Sequence, residues 1–313
     1  MKILFFTILL LFLSGISLFV GVADLTVGDI VQLDSEKISL IFVSRIPRTL
    51  SLLLAGIGLS VSGLIMQQVT QNKFVSPTTA GTLESAKMGL LAAMAFFPSS
   101  SMMIKALFAF CFTFAASLLF LRVVERIRFR NVIFIPLVGL IFGSILNAVS
   151  TFFAINLNIM QDMNAWMMGD FSGVIQGRYE LIYICLPAVF LTYLYANKFT
   201  VVGMGKDLAS NLGLNYRMVM NVGLLCVSLT VSTIIITAGA IAFLGLVVPN
   251  VVSLVYGDNV KKTLPLVALA GATFLVLCDI IGRLLIYPFE VPIGLTVGII
   301  GGAVFLTLLL SRR

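Results

Sequence analysis

The sequence predicts an all-α membrane protein, about ten transmembrane helices in a single domain. Three observations predict it. The 313 residues are 60% hydrophobic and 11% charged, with a mean hydropathy of +1.13, whereas soluble domains carry about 25% charged residues. Apolar runs recur from end to end, each long enough for the ~20-residue helix that crosses a bilayer core. Charged residues gather in short gaps between those runs, which leaves no room for a separate soluble domain.

The elements follow in order. Met1-Lys2 and the apolar run Ile3–Val22 resemble a signal peptide, but a polytopic chain can use its first helix as the signal, and an uncleaved helix is expected. Ala23–Arg48 is a loop with Asp24, Asp29, Asp34, Glu36 and Lys37. Pro47 is placed at a helix start, where its missing N–H costs nothing, and helix two is predicted over Thr49–Thr70. Its small residues Ala55, Gly56, Gly58, Ser60, Ser62 and Gly63 allow close helix contacts. Asn72–Met88 is a polar link in which Glu84 and Lys87, three apart, are expected to pair in solvent. Helix three is predicted over Gly89–Phe97, starting inside that link, and helix four over Met102–Val124 after a turn at Pro98–Ser101.

A basic loop with Arg122, Arg126, Arg128 and Arg130 precedes helix five, Val132–Ile155. Ser144, Asn147, Ser150 and Thr151 form a polar stripe there, fit either to line a path or to bond neighbouring helices. Asn156–Glu180 holds the only Trp, Trp166, and Met167-Met168-Gly169 fits a short interfacial helix. Helix six is predicted over Leu181–Tyr195 and helix seven over Met218–Ala238, separated by the polar stretch Gly203–Arg217. Gly239–Gly245 is a break, and Leu246–Tyr256 a short helix containing Pro249. After the basic turn Gly257–Lys262, helix nine (Thr263–Ile286) and helix ten (Ile293–Leu310) complete the set, joined by Tyr287–Pro292.

Ten spans put both ends on one side. Fourteen of the twenty Lys and Arg then fall on that side, which the positive-inside rule assigns to the cytoplasm. The other six are Lys37, Arg45, Arg48, Lys105, Arg178 and Arg283. The net charge of +7 is thus explained by topology. No basic stripe interleaves with aromatics, so nucleic acid is not an expected partner.

The chain has no His, and Cys111, Cys185, Cys226 and Cys278 are scattered without metal-ligand spacing. No resident metal, cofactor or catalytic constellation is expected, which argues against a membrane enzyme or a proton-coupled pump. Gly203-Met204-Gly205-Lys206-Asp207 fails as a phosphate loop: no Gly lies five before Gly205, and Asp207 replaces the magnesium-holding Ser/Thr. Lys206–Leu212 is long enough for two helical turns, with Leu208 and Leu212 on one face, Ala209 beside them and Gly213 as the stop. Such a helix either docks in a partner's groove or lies on the membrane surface. Asp279 and Arg283 are spaced to pair at i,i+4, and Arg45, Arg48 and Arg283 form a sparse positive set on the outer face. Gly294, Gly298 and Gly302 form overlapping GxxxG spacings, which predict tight packing within the subunit or between two copies.

Several segments together resemble the FecCD-type permeases of bacterial ABC importers for iron–siderophore complexes, haem and cobalamin. They are Arg45-Ile46-Pro47-Arg48-Thr49 with the Gly-rich run to Gln67, Trp166–Gly169 with Ser172-Gly173, Ala209–Gly213, Phe243–Pro249 and Glu290–Gly294. The resemblance covers almost the whole chain. It implies a type II ABC importer permease architecture: ten helices per subunit, two permease chains (identical or related), two ATP-binding subunits beneath and an extracytoplasmic substrate-binding protein above. It implies that Ala209–Gly213 lies in the ATPase-coupling segment, which makes Lys206, Leu208, Ala209, Leu212 and Gly213 the candidate coupling residues, and that the binding protein docks at Arg45, Arg48 and Arg283. It makes helix five a wall of the path, and the candidate path residues there, Ser144, Asn147, Ser150 and Thr151, come from the polar stripe and not from the family pattern. A ferric siderophore is the expected cargo, with haem or cobalamin as alternatives. The sequence departs from the family pattern at Asn250 (usually His), Ser253 (usually Arg), Asn72-Lys73-Phe74 (usually Asn-Pro-Leu) and Thr82–Lys87 (usually Gly-rich). A stand-alone secondary transporter would instead need internal repeats and coupling carboxylates in broken helices, and neither is evident.

Overall fold

A computed structural model describes residues 2–21, 35–126 and 133–311. Asp24, Asp29, Asp34, Arg128, Arg130 and the terminal Arg312-Arg313 lie outside the described residues. The described chain is helical almost throughout, with one isolated bridge between Ile286 and Phe289.

The helix at the centre is α3 (Ile46–Thr70), which α2 (Ser35–Leu40) enters through a π turn at Ile41–Arg45. The second span therefore begins well before the predicted Thr49. Pro47 lies inside this rod, where it has no N–H to give to the carbonyl four residues back. That carbonyl, on Val43, instead accepts the Gln176 N–H at 2.9 Å, so the proline is tolerated without an orphaned acceptor.

Seven helices among the described residues are long and apolar enough to cross a membrane. They are α1 (Lys2–Phe19), the α2–α3 rod, α5 (Met102–Arg126), α6 (Phe134–Asn156), α11 (Tyr216–Ala238), α13 (Val260–Leu285) and α14 (Ile293–Ser311). A helix pair bent by 65°, Glu180–Leu194, which contains α8 (Cys185–Leu194), and α9 (Ala196–Gly203), is long and apolar enough only when taken together and occupies the place of predicted helix six. The two other expected spans are α4 (Thr82–Phe96) and α12 (Leu244–Tyr256), of 15 and 13 residues. At ~1.5 Å per residue both fall short of the ~30 Å core. The ten predicted segments are present in the predicted order. The additional short helices are α7 (Met160–Met167) and α10 (Lys206–Asn211).

The short helices begin at non-helical backbone packed inside the bundle, the condition for such backbone at membrane depth. Before α4, Ser76 N–H donates to Thr79 Oγ1 (2.8 Å), Thr82 Oγ1 to Pro77 O (2.7 Å) and Ser85 Oγ to Gly81 O (2.6 Å). This turn lies against the middle of α6: Gly81 meets Gly143, and Thr79 O meets Gly139. What looked in sequence like a solvent-exposed link is therefore an internal turn.

Burial divides the helices into two groups. The apolar windows of the α2–α3 rod and α11 are 83% and 78% buried, those of α1, α6 and α14 only 6%, 22% and 22%. The inner helices touch through their small residues. A Cβ on Gly56 would come 2.6 Å from Ala272 Cα, and one on Gly63 would come 1.8 Å from Gly245 O. Gly63→Val is expected to cost about 3 kcal/mol or more through overpacking against fixed backbone, read as lost monodispersity and a lower Tm. Gly298→Ala, with nothing within 4 Å, is the control expected to leave the subunit's Tm unchanged.

Candidate functional site

The candidate residues fall into three groups: at the N-terminal end of α3, at mid-length on α6, and at α10. The first is an ionic network. Arg48 donates to Asp279 Oδ1 from Nε (3.2 Å) and Nη2 (2.8 Å), and from Nη1 to Glu290 Oε2 (2.7 Å). Arg283 Nη2 lies 2.5 Å from Asp279 Oδ2, yet that oxygen takes no aligned hydrogen bond, so the contact is an ion pair only. Arg283 also donates to Ser17 O (3.0 Å), Val20 O (2.6 Å) and Ser17 Oγ (2.6 Å), and Arg45 donates to Val20 O.

The network differs from the exposed positive set expected from sequence. Arg45 and Arg283 are 7% and 3% exposed, and the Arg48 side chain 12%. The i,i+4 pairing of Asp279 with Arg283 is as predicted, but Arg48 and Glu290 join it from distant positions. Among the described residues, Arg45, Arg48 and Arg283 gather around Asp279 and Glu290. Arg45 and Arg283 also donate to carbonyls at the C-terminal end of α1, where the helix dipole is negative. Ser17 is the buried residue of α1, so this network ties down the C-terminal end of a helix that otherwise packs through the half-buried Phe6, Leu10, Leu13 and Ile16.

Beside the network, three of the sequence motifs converge. Trp166 Nε1 donates to Ile236 O (3.2 Å), Asp170 N to Ala238 O (2.9 Å), and Gly294 N to Gly169 O (2.9 Å). Gly239 takes φ +80° against Met168 O, and a Cβ on Gly169 would lie 2.4 Å from Ala240 O. Glycine is required at both positions, one for its backbone angle and one for space. Of the GxxxG residues, Gly294 belongs to this internal contact, while Gly298 and Gly302 face open space.

At mid-length the polar stripe of α6 divides. Ser144 and Asn147 are exposed, Thr151 is half-buried and Ser150 is buried. The Ser144 and Ser150 hydroxyls donate to the carbonyls four residues back, Leu140 O and Leu146 O, both at 2.8 Å. Asn147 Oδ1 accepts from Lys87 Nζ at 2.9 Å. Lys87 is thus internal, at 9% exposure. The expected solvated pair with Glu84 is absent from the ion pairs within 4.0 Å among the described residues.

At the third group, α10 is shorter than predicted by a residue. Leu208 and Leu212 are 45% and 64% exposed, while Ala209 is fully buried and anchors the helix. Lys206 is exposed. Gly213, at φ +76°, ends the turn with its N–H on Ser210 O (2.9 Å). Asn215 caps α11 by accepting the Met218 N–H at 3.1 Å. Nearby, a cavity of about 450 Å³ is bounded by Gln67, Gln71, Lys73, Met204 and Asp258.

Most of the sequence's departures from the family pattern meet on this side. Asn250 Nδ2 donates to Lys73 O (2.8 Å) and Leu246 O (2.7 Å), and Lys73 Nζ reaches Ser253 Oγ (3.3 Å) and Asp258 (2.8 and 2.9 Å). Positions 73, 250 and 253 form one hydrogen-bonded unit that fastens the turn after α3 to α12. Asn250→Ala is expected to lower stability by about 1–2 kcal/mol, since it orphans a carbonyl. Asp258→Ala, in an ion pair that is 40% and 59% exposed, is expected to cost under about 1 kcal/mol. Thermal melts of the two variants check the difference.

The FecCD transport family matches residues 8–311. This chain belongs to the FecCD transport family. Among related FecCD proteins, a petrobactin import system permease protein of Bacillus subtilis is 49% identical over 313 residues, covering 100% of this chain and 99% of the relative. A ferric-anguibactin transport system permease protein of Vibrio anguillarum is 49% identical over 271 residues, 87% of this chain and 86% of that one. The FecCD fold is shared with a solved metal-chelate type ABC transporter in an inward-facing conformation, with a TM-score of 0.84, 23% identity, and 99% and 98% coverage. The chain is accordingly a multi-pass membrane transport subunit.

Proposed function

We propose that this chain is the permease subunit of a binding-protein-dependent ABC importer carrying a ferric siderophore across a bacterial cytoplasmic membrane. The observation that carries the reading is the full-length 49% identity to a petrobactin import permease. The α10 end faces the cytoplasm together with both termini, consistent with the bias of Lys and Arg to that side. With no phosphate loop in the sequence, ATP is hydrolysed on two separate subunits. These grip α10 through the exposed Leu208 and Leu212, with Lys206 at the rim and Ala209 and Gly213 holding its shape.

A second permease chain, identical or related, covers part of the apolar surface of α14 and α6, including Gly298 and Gly302. The path for the chelate runs along α6, past Ser144, Asn147 and Thr151, with Ser150 supporting from within. At the outer face a substrate-binding protein docks above the ionic network. Arg45, Arg48 and Arg283 brace that surface, and the partner's carboxylates reach them only where they compete with Asp279 and Glu290. ATP binding closes the motor, shifts α10 and switches the path between outward-open and inward-open populations.

The test is gentle purification of the tagged chain from membranes of iron-starved cells, with iron uptake measured in parallel. A Walker-motif ATPase and a substrate-binding protein in the eluate, with uptake dependent on ATP, are expected. Purification alone with ATP-independent uptake would replace this reading with a secondary transporter, and uptake of cobalamin or haem in place of iron chelate would reassign the cargo.

A further inference from the structure

Lys87 is a cation in the wrong place for a merely structural residue. Its partner Asn147 is the fourteenth of the 23 residues of α6, which places the ammonium opposite the middle of a membrane-spanning helix. Charge at that depth is costly, and such residues are by default functional. An ammonium has three N–H donors. One is given to the Asn147 amide oxygen at 2.9 Å, and no carboxylate lies within 4.0 Å among the described residues. One turn earlier on α4, Glu84 Oε2 is buried with no hydrogen-bond partner. Space for that carboxylate exists because position 143 is glycine: a Cβ there would lie 3.2 Å from Glu84 Oε2. The polar capacity of this site is therefore largely unspent, and Asn147 and Ser144 carry it to the exposed face of α6.

We infer that Lys87 is a mid-membrane contact for a negatively charged ferric chelate moving along α6. This rests on the importer reading and adds the charge class of its cargo. Iron(III) chelated by catecholate or hydroxycarboxylate oxygens has more than three anionic donors and so a net negative charge. Lys87 has two donors left for those oxygens, presented beside Asn147. Glu84, on the same helix, offsets the cation and keeps the contact weak enough for release, as conduction through a path requires. The segment Thr82–Lys87, where this sequence departs from the Gly-rich pattern of the family, supplies both ionisable groups.

The test reads local potential directly. Cys111 is the exposed native thiol and the other three are buried, so Cys111→Ser gives a quiet background. Ser144→Cys then places a thiol one turn from Asn147, on the exposed face. Full-length protein in membranes is reacted with an anionic (sulfonatoethyl) and a cationic (trimethylammonioethyl) methanethiosulfonate of similar size. Lys87 is expected to favour the anionic reagent by about tenfold. With each rate normalised to that of the same reagent with a free thiol, Lys87→Gln is expected to bring the ratio to one or below, since Glu84 remains beside Gly143, and Lys87→Arg to preserve it. No reaction with either reagent, a ratio at or below one with Lys87 present, or a ratio unaffected by Lys87→Gln overturns the inference. The ratio with Lys87 present decides even where Lys87→Gln fails to fold. In parallel, uptake of a ferric tricatecholate is expected to fall at least tenfold in Lys87→Gln and to be kept in Lys87→Arg. Absent uptake by the unsubstituted chain counts against the importer reading, whereas the thiol rates alone decide the role of Lys87.

Discussion

Asp279→Ala is expected to lower stability by about 3–5 kcal/mol, the cost of leaving buried cations without their counter-charge. The Asp279 side chain is 1% exposed, and it accepts from Arg48 while pairing with Arg283. Its removal leaves Arg283, among the described residues, hydrogen-bonded to the Ser17 oxygens of α1 and to the Val20 carbonyl just after it. The purified protein should lose on the order of 10 °C in Tm, and α1 should become accessible to protease first. Asp279→Asn, which keeps an acceptor but no charge, should fall between. Glu290→Gln should cost about 1 kcal/mol, because the Glu290 side chain is 24% exposed and water replaces part of what is lost. Equal effects at Asp279 and Glu290 would show that the network is not the brace described.

The second large effect is expected at α10. Leu208→Asp with Leu212→Asp should leave the fold intact, since both side chains are exposed, and the Tm should stay within the range of ordinary surface substitutions, about ±0.5 kcal/mol. Loss of the ATPase partner should nevertheless exceed 100-fold in affinity. Each leucine withdrawn from a groove forfeits ~1.5–3 kcal/mol of apolar burial, each carboxylate adds desolvation cost, and 1.4 kcal/mol is tenfold. The readout is disappearance of the ATPase from the eluate together with loss of uptake. Ala209→Asp, at a buried position, should instead damage the helix and lower Tm. ATPase retained at full stoichiometry in the double variant would place coupling elsewhere.

These two sites were legible in the sequence to different degrees. α10 was visible because its features are local: two leucines four apart, a stop at Gly213, and polarity between apolar runs. The order of the ten segments was legible for the same reason, since hydropathy averages over a window no longer than the helix it reports. The small residues of α3 announced close packing, and Gly56 and Gly63 provide it against Ala272 and Gly245.

Direction and depth were not legible. Arg48 meets Asp279 and Glu290 across 231 and 242 positions, and no local pattern encodes which distant carboxylate a cation will face. The sequence reading put Arg45, Arg48 and Arg283 on the surface because charges at helix ends usually lie there; packing of α1 against α13 encloses them. It put Glu84 and Lys87 in solvent because the link before α4 is polar. Only the tertiary structure shows that link folded against Gly139 and Gly143, carrying Lys87 opposite the middle of α6. The sequence alone thus determined class, spans and motifs, which follow from composition and short-range spacing. The fold decided which polar groups are enclosed, because burial depends on what another part of the chain brings alongside.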